Sequence, residues 1–255
     1  MMIKTFDNEK DLSKNLALEI LTKLKNKKKF VLGCPGGRSL KKTYYYLGTL
    51  SYKYKISLDK LTIIMMDEYV VKRKNEYSLI DPKLHFSCVR FSKNVIKKLL
   101  NYKKNKKNSL KDYNILFPSV KKPNNYDKII KSIGGIDIFL LASGSSDGHV
   151  AFNNAFSKIN QKTHITKLST TTRRDNIKTF SNFKKINEVP KFGLTVGLKT
   201  ISSLSKSAIL VLSGIEKRQA FKKISSLKKF NKSWPASIIY SCKNKKIYID
   251  KKVKI

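Results

Sequence analysis

Four short, continuously apolar runs constrain this chain more than any other feature. They are KFVLGC (Lys29–Cys34), LTIIMM (Leu61–Met66), IDIFLLA (Ile136–Ala142) and SAILVLS (Ser207–Ser213). None alternates with polar residues, and longer helical patterns separate them, such as LKKTYYYLGTL after the first and GIEKRQAFKKI after the last. A strand apolar at every position must be covered on both faces, which requires a mostly parallel sheet between two layers of helices. The expected fold is therefore α/β, with helices on both faces of the sheet. No repeat period and no Pro/Gly/Ser-rich linker divides the sequence, so residues 1–255 are expected to form a single domain. KKIYID (Lys245–Asp250) reads as an edge strand near the C-terminus, and KKNKKNSLKDYN (Lys103–Asn114) as a surface excursion.

Sheets of this kind bind ligands beyond the carboxyl ends of their strands. The unusual polar residues stand at those ends: Cys34–Ser39, Asp67, Ser143–His149 and Gly214–Lys217. In GCPGGRS, Gly36 and Gly37 would let backbone N–H groups close on an anion at a helix N-terminus, with Arg38 and Ser39 as further donors. The competing reading of that segment is a tight strand-to-helix turn. MMDEYV sets Asp67 and Glu68 at the end of a buried strand, where a desolvated carboxylate becomes a base with a raised pKa and a solvated one merely caps a turn or helix. SDGHVAFN, in a stretch free of Lys and Arg, offers Asp147 as the partner that orients His149. TTTRRDNIKTF adds Arg173 and Arg174, a pair that could grip a phosphate or simply form a solvated face, and GIEK adds Lys217 as a further cation.

The formal charge of +38, from 55 Lys and Arg against 17 Asp and Glu, suggests nucleic acid at first sight. The lysines are spread through nearly every segment, however, rather than gathered in one aromatic-bearing motif, so a nucleic-acid partner is not expected. Such a charge would still draw anionic, phosphorylated substrates. No apolar run approaches the roughly 18–20 residues that span a bilayer, and the N-terminus lacks the apolar core of a secretory signal. Cys34, Cys88 and Cys242 lie far apart with no metal-ligand spacing, which fits a reduced, cytoplasmic setting. No metal site is expected, since His149 has no second histidine nearby.

Taken in order, PGGRS, MDEYV (Met66–Val70), DGHVAFN (Asp147–Asn153), VPKFGLTVGLKTI (Val189–Ile201) and GIEK resemble the glucosamine-6-phosphate deaminase/6-phosphogluconolactonase family over roughly residues 29–250. MDEYV, HVAFN and LTVG favour the deaminase/isomerase branch. The resemblance implies a Rossmann-like sheet with a pocket for a hexosamine 6-phosphate and no cofactor. It implies Asp67 as the base moving a proton between C1 and C2, and His149, oriented by Asp147, as the group that assists ring opening. Gly36, Gly37, Arg38, Ser39 and Lys217 would hold the phosphate. Homo-oligomerisation is left open, since relatives range from monomers to hexamers.

The chain departs from the family pattern at identifiable points. Asn154 stands where the deaminases carry the glutamate that completes the ring-opening group. Lys178 aligns with their phosphate arginine, keeping the charge without the bidentate fork, so Arg173 or Arg174 could serve instead. The threonine-rich phosphate loop has become CPGGRS. His164 and Thr166 occupy positions of an effector-binding cluster in some deaminases, so regulation by an amino sugar is not expected. Two alternatives to the deaminase reading follow: a 6-phosphogluconolactonase using His149 to activate water, and a catalytically impaired protein that binds sugar phosphates.

Overall fold

The computed structural model describes residues 2–254. Its centre is a seven-stranded parallel sheet. In chain order its strands are β1 (Met2–Phe6), β2 (Phe30–Cys34), β3 (Leu61–Met65), β6 (Ile115–Leu116), β7 (Ile138–Ala142), β10 (Ser207–Leu212) and β11 (Asn244–Asp250). Between β3 and β6 the chain forms β4 (Asp67–Arg73) and β5 (Glu76–Leu79), and between β7 and β10 it forms β8 (His164–Lys167) and β9 (Phe192–Thr195). In space the large sheet runs β1-β11-β10-β7-β2-β3-β6, and the remaining strands make a smaller antiparallel sheet, β5-β4-β9-β8.

The period-two geometry of a strand explains the unbroken apolar runs. Phe30, Leu32 and Cys34 of β2 face one core with Ile63, Ile138, Ile209 and Tyr248. The helices α1 (Glu9–Lys25) and α2 (Lys41–Lys53) close that side. Val31, Ile64, Phe139, Leu141, Leu210 and Ile247 face the other side. There they meet α5 (Asn125–Ser132), α7 (Leu198–Leu204), α8 (Arg218–Ser226) and the turns of Pro235–Ser241. The expected α/β architecture with helices on both faces is present. A third cluster, built on Tyr69, Phe86, Phe152, Phe180 and Phe183, packs under the smaller sheet.

One expectation is corrected. Lys245–Asp250 is not an edge: β11 pairs with β10 on one side and with β1 on the other. The N-terminal MIKTF takes the edge position, with Met2 and Ile3 exposed. Polar residues interrupt that segment because only one side of it meets the core, so it carries no continuous apolar signal.

At the amino end of the sheet, Asp137 accepts from the Val31 N–H at 2.8 Å and from the Lys27 and Lys206 ammonium groups at 2.6 and 3.0 Å. Burial works against its charge, but those donors prevail and hold its carboxyl below the usual range. This fixes the entry of β7 beside β2, at the point where the chain switches from one half of the sheet to the other. On the far side, α2 lies against the helical segment formed by α3 (Cys88–Phe91), a π-helical stretch (Ser92–Lys97) and α4 (Lys98–Leu100). The two backbones meet at Gly48, where a Cβ would fall 1.8 Å from the Leu99 carbonyl oxygen. Alanine normally stabilises a helix interior by about 1 kcal/mol relative to glycine. At Gly48 the clash should win, and Gly48→Ala should lose about 1–3 kcal/mol in urea unfolding.

Candidate active site

Four loops from the carboxyl ends of β2, β3, β7 and β10 open onto one cleft of about 1000 Å³. Its position at the β2/β7 switch point is the one physical topology favours for a ligand. Gly36, Gly37, Ser39, Asp67, His149, Lys178 and Lys217 all line it. Arg38 opens a short 3₁₀ turn (Arg38–Leu40), but its side chain lies outside the described residues. Arg173 and Arg174 do not line the cleft. The Arg173 guanidinium is turned to the segment before β9, donating to the carbonyls of Ile186 at 2.5 Å and Val189 at 2.9 Å. Arg174 is exposed. Of the cations on this helix, α6 (Thr170–Thr179), it is Lys178 that reaches the cleft.

The adjacent carboxylates of MDEYV divide two roles between them. Glu68 accepts from Ser87 Oγ at 2.8 Å and from the N–H groups of Tyr69, Cys88 and Val89 at 2.7, 3.1 and 2.8 Å. It thereby caps α3 and is fully satisfied. Asp67, 7% exposed, faces the cleft, and its Oδ1 is buried without a hydrogen-bond partner. Burial pushes its carboxyl up to about 7, and the Glu68 charge adds to that, while the Cys88 thiol, the Gly36 backbone and His149 oppose it. Gly36 is required for this approach. A Cβ there would lie 2.8 Å from Asp67 Oδ1 and 2.5 Å from Cys88 Sγ.

The Ser143–Asn154 loop builds the second half of the site. His149 Nδ1 lies 2.6 Å from Asp147 Oδ1, and the His149 N–H donates to the same oxygen at 3.1 Å. The other oxygen, Oδ2, accepts from Thr172 Oγ1 at 2.9 Å and from Ser169 Oγ at 3.2 Å. Burial works against the charge on Asp147. The His149 ring, that N–H and Thr172 outweigh it and hold the carboxyl far below its usual range. Gly148 makes the turn with φ +65°, pressed against the Trp234 ring, where any side chain would collide. The end of the motif serves architecture. Phe152 packs on Tyr69 at 4.8 Å, and Asn153 donates to the carbonyls of Val150 and Val196 at 3.0 and 2.8 Å.

Lys217 donates to the Ser143 carbonyl at 2.8 Å and to Ser145 Oγ at 3.0 Å, linking the β10 loop to the β7 loop. Burial pulls its ammonium pKa down, making it a readily desolvated partner for an anion. Asn154 points elsewhere, donating to the Lys167 carbonyl at 2.9 Å, and does not line the cleft. Sequence reasoning passed over Asp175, Asn176 and Asp250, all of which line it. Asp175 and Asn176 belong to the same helical face as Thr172 and Thr179, and that three-to-four residue spacing was the available signal. Among the described residues, Asp147, His149 and Asp175 are also the group whose ligand-capable atoms come within 4.8 Å of one another. A metal ion there would have to displace the Asp147–His149 bond.

Stability should report on the buried Asp67 carboxyl. The folded state keeps a proton on Asp67 up to about pH 7, whereas the unfolded chain releases it at the ordinary aspartate value near 3.8. A carboxyl raised in this way costs stability progressively as pH rises from about 4 to about 7, and the cost is complete above that window. Asp67→Asn removes the cost and should unfold at higher urea than the parent at pH 8. The gain has a ceiling of about 4 kcal/mol and should shrink toward zero as the pH approaches 4.

Residues 7–249 match the family described as glucosamine-6-phosphate isomerases/6-phosphogluconolactonase. The chain is 30% identical over 239 residues to a glucosamine-6-phosphate deaminase of Malacoplasma penetrans, covering 93% of each. It is 33% identical over 250 residues to one of Borrelia garinii, covering 95% of this chain and 87% of that protein. In fold it is similar to a monomeric glucosamine-6-phosphate deaminase, with a TM-score of 0.86, 24% identity and coverage of 100% and 99%. It is also similar to the 6-phosphogluconolactonase of Thermotoga maritima, with a TM-score of 0.66, 17% identity and 98% coverage of both chains. A parallel sheet with this cleft at its switch point, and a sequence match spanning nearly all of it, make the chain a member of the glucosamine-6-phosphate isomerase/6-phosphogluconolactonase family.

Proposed function

We propose that this protein is a glucosamine-6-phosphate deaminase/isomerase, converting a hexosamine 6-phosphate to the ketose phosphate with release of ammonia. The observation that carries the reading is Asp67: a buried carboxyl held up to about 7, with one unpartnered oxygen, on the cleft wall with His149. Ester hydrolysis by a histidine-activated water has no need of such a group, whereas removal of a proton from carbon requires a strong, poorly solvated base. Relatives about 30% identical over nearly the whole chain carry the deaminase name.

The residues divide the work as follows. Backbone N–H groups of Gly36 and Gly37, with Ser39, Lys178 and Lys217, hold the phosphate. His149, steadied by Asp147, takes the proton from O1 and returns it to O5 as the C1–O5 bond breaks and the C1 carbonyl forms. That carbonyl acidifies the C2–H bond. Asp67 removes the C2 proton and delivers it to C1 while the C1 oxygen takes up a proton given by the C2 amino group, leaving an imine at C2 that water hydrolyses to the ketose and ammonia. The substrate's own carbonyl supplies the electron sink. The whole chain works as one unit in this scheme, and a reduced, cytoplasmic setting suits its three cysteines, which are buried and free.

The test is a paired assay of the purified protein. One arm follows ammonia and fructose 6-phosphate from glucosamine 6-phosphate, and the other follows hydrolysis of 6-phosphogluconolactone above its spontaneous rate. Turnover in the first arm is expected. Activity confined to the second would make the protein a lactonase. Asp67→Asn should lower kcat on glucosamine 6-phosphate by about 10²-fold or more. In the parent, kcat/KM should climb as the pH rises through about 7 and the base ionises.

A further inference from the structure

The Asp147–His149 pair has a third neighbour that the proposed chemistry has not used. Asp175, on the face of α6 that also presents Thr172, lines the cleft, and its carboxylate comes within 4.8 Å of the ligand-capable atoms of both Asp147 and His149. One oxygen, Oδ1, accepts from Ser146 Oγ at 3.0 Å, which fixes the group against the Ser143–Ser146 loop. The other, Oδ2, is buried with no hydrogen-bond partner. An acceptor left unpaired in this way is costly unless the working state supplies it with a partner. Asn154, by contrast, carries no charge and spends its amide on the Lys167 carbonyl outside the cleft.

We propose that Asp175 is the second carboxylate of the ring-opening group, a positioning residue that acts through His149. The inference rests on the deaminase/isomerase reading and assigns one step of it. Between taking the O1 proton and giving it to O5, the imidazole is an imidazolium. Asp147 already binds its Nδ1 edge. Asp175 adds a second negative charge beside the ring and lowers the free energy of the charged form. No bond to Asp175 is made or broken, and the proton passes from O1 to His149 to O5. The carboxylate thus enters from α6, not from the DGHVAFN loop.

Asp175→Asn tests this, because it deletes the charge while leaving an oxygen for the Ser146 hydroxyl. Two substrates separate ring opening from the later steps. Glucosamine 6-phosphate is cyclic and needs it. 5-Deoxyfructose 6-phosphate cannot close a ring, since it lacks the C5 hydroxyl and its C6 oxygen is phosphorylated. With ammonium present, deuterium uptake at its C1 in heavy water reports proton transfer by Asp67 alone. The variant should lose about tenfold to a hundredfold in kcat on glucosamine 6-phosphate, with KM within about twofold and exchange into the acyclic ketose unchanged. Equal losses on both substrates, or unchanged turnover of the cyclic one, would overturn the inference while leaving the deaminase reading intact. Parent protein that turned over neither would instead overturn that reading, and this inference with it.

Discussion

The junction between the two sheets rests on the Glu68 carboxylate. After β3 the chain leaves the parallel sheet, and one residue later it begins the antiparallel one. Nothing in a parallel sheet demands that departure at Met66. It is held there by an acid that, almost completely buried, satisfies the Ser87 hydroxyl and three backbone N–H groups at the start of α3. Truncating such a group strands several buried donors at once, each with its own desolvation penalty. Because Glu68 holds α3 in place, Cys88 closes over Asp67, and that carboxyl, the proposed base, is kept dry. The neighbouring acid can be unsatisfied because this one is fully satisfied.

The rest of the cleft repeats that arrangement, in which a fixed polar group supports a reactive one. Thr172 and Ser169 fix Asp147, which fixes His149. Asn153 clamps the end of the same loop to the segment after β9. Preorganisation of this kind lets a site meet developing charge without rearranging. It also explains why the family motifs are longer than their chemistry. In DGHVAFN only the third residue works on substrate in the proposed scheme; the first orients it, and the second, sixth and seventh hold the backbone in place.

Legibility in the sequence followed the strength of the physical signal. The inner strands were plain because burial on both faces leaves no freedom for polar residues, as Phe30–Cys34 and Ile138–Leu141 show. The antiparallel lobe was not, since YVVKR and EYSLI are short, half exposed and interrupted by charge. The MIKTF edge was missed, and β11 misplaced, for the same reason. Asp67 and the Asp147–His149 pair stood out through their position after apolar runs. Asp175 did not, because on a helix crowded with Thr, Arg and Lys only the three-dimensional fold shows which face meets the cleft. Arg173 is the converse case, a cation in a plausible place that tertiary structure commits to two carbonyls.

Five of the 17 acidic residues, Glu9, Asp67, Asp175, Glu216 and Asp250, line a single cleft in a chain of net charge +38. The exterior and the cleft therefore act over different ranges. Far from the protein, all anions feel the same attraction, polyphosphates and nucleic acids included, and ordinary salt fades it within about 10 Å. Inside, those five acids stand among five lysines, Lys10, Lys42, Lys178, Lys217 and Lys252. Charges of both signs thus lie at short range and favour an anion whose charged and uncharged portions match that arrangement. Capture by this protein is consequently indiscriminate at a distance and selective at the threshold, and the lysines that crowd its surface need take no part in the selection.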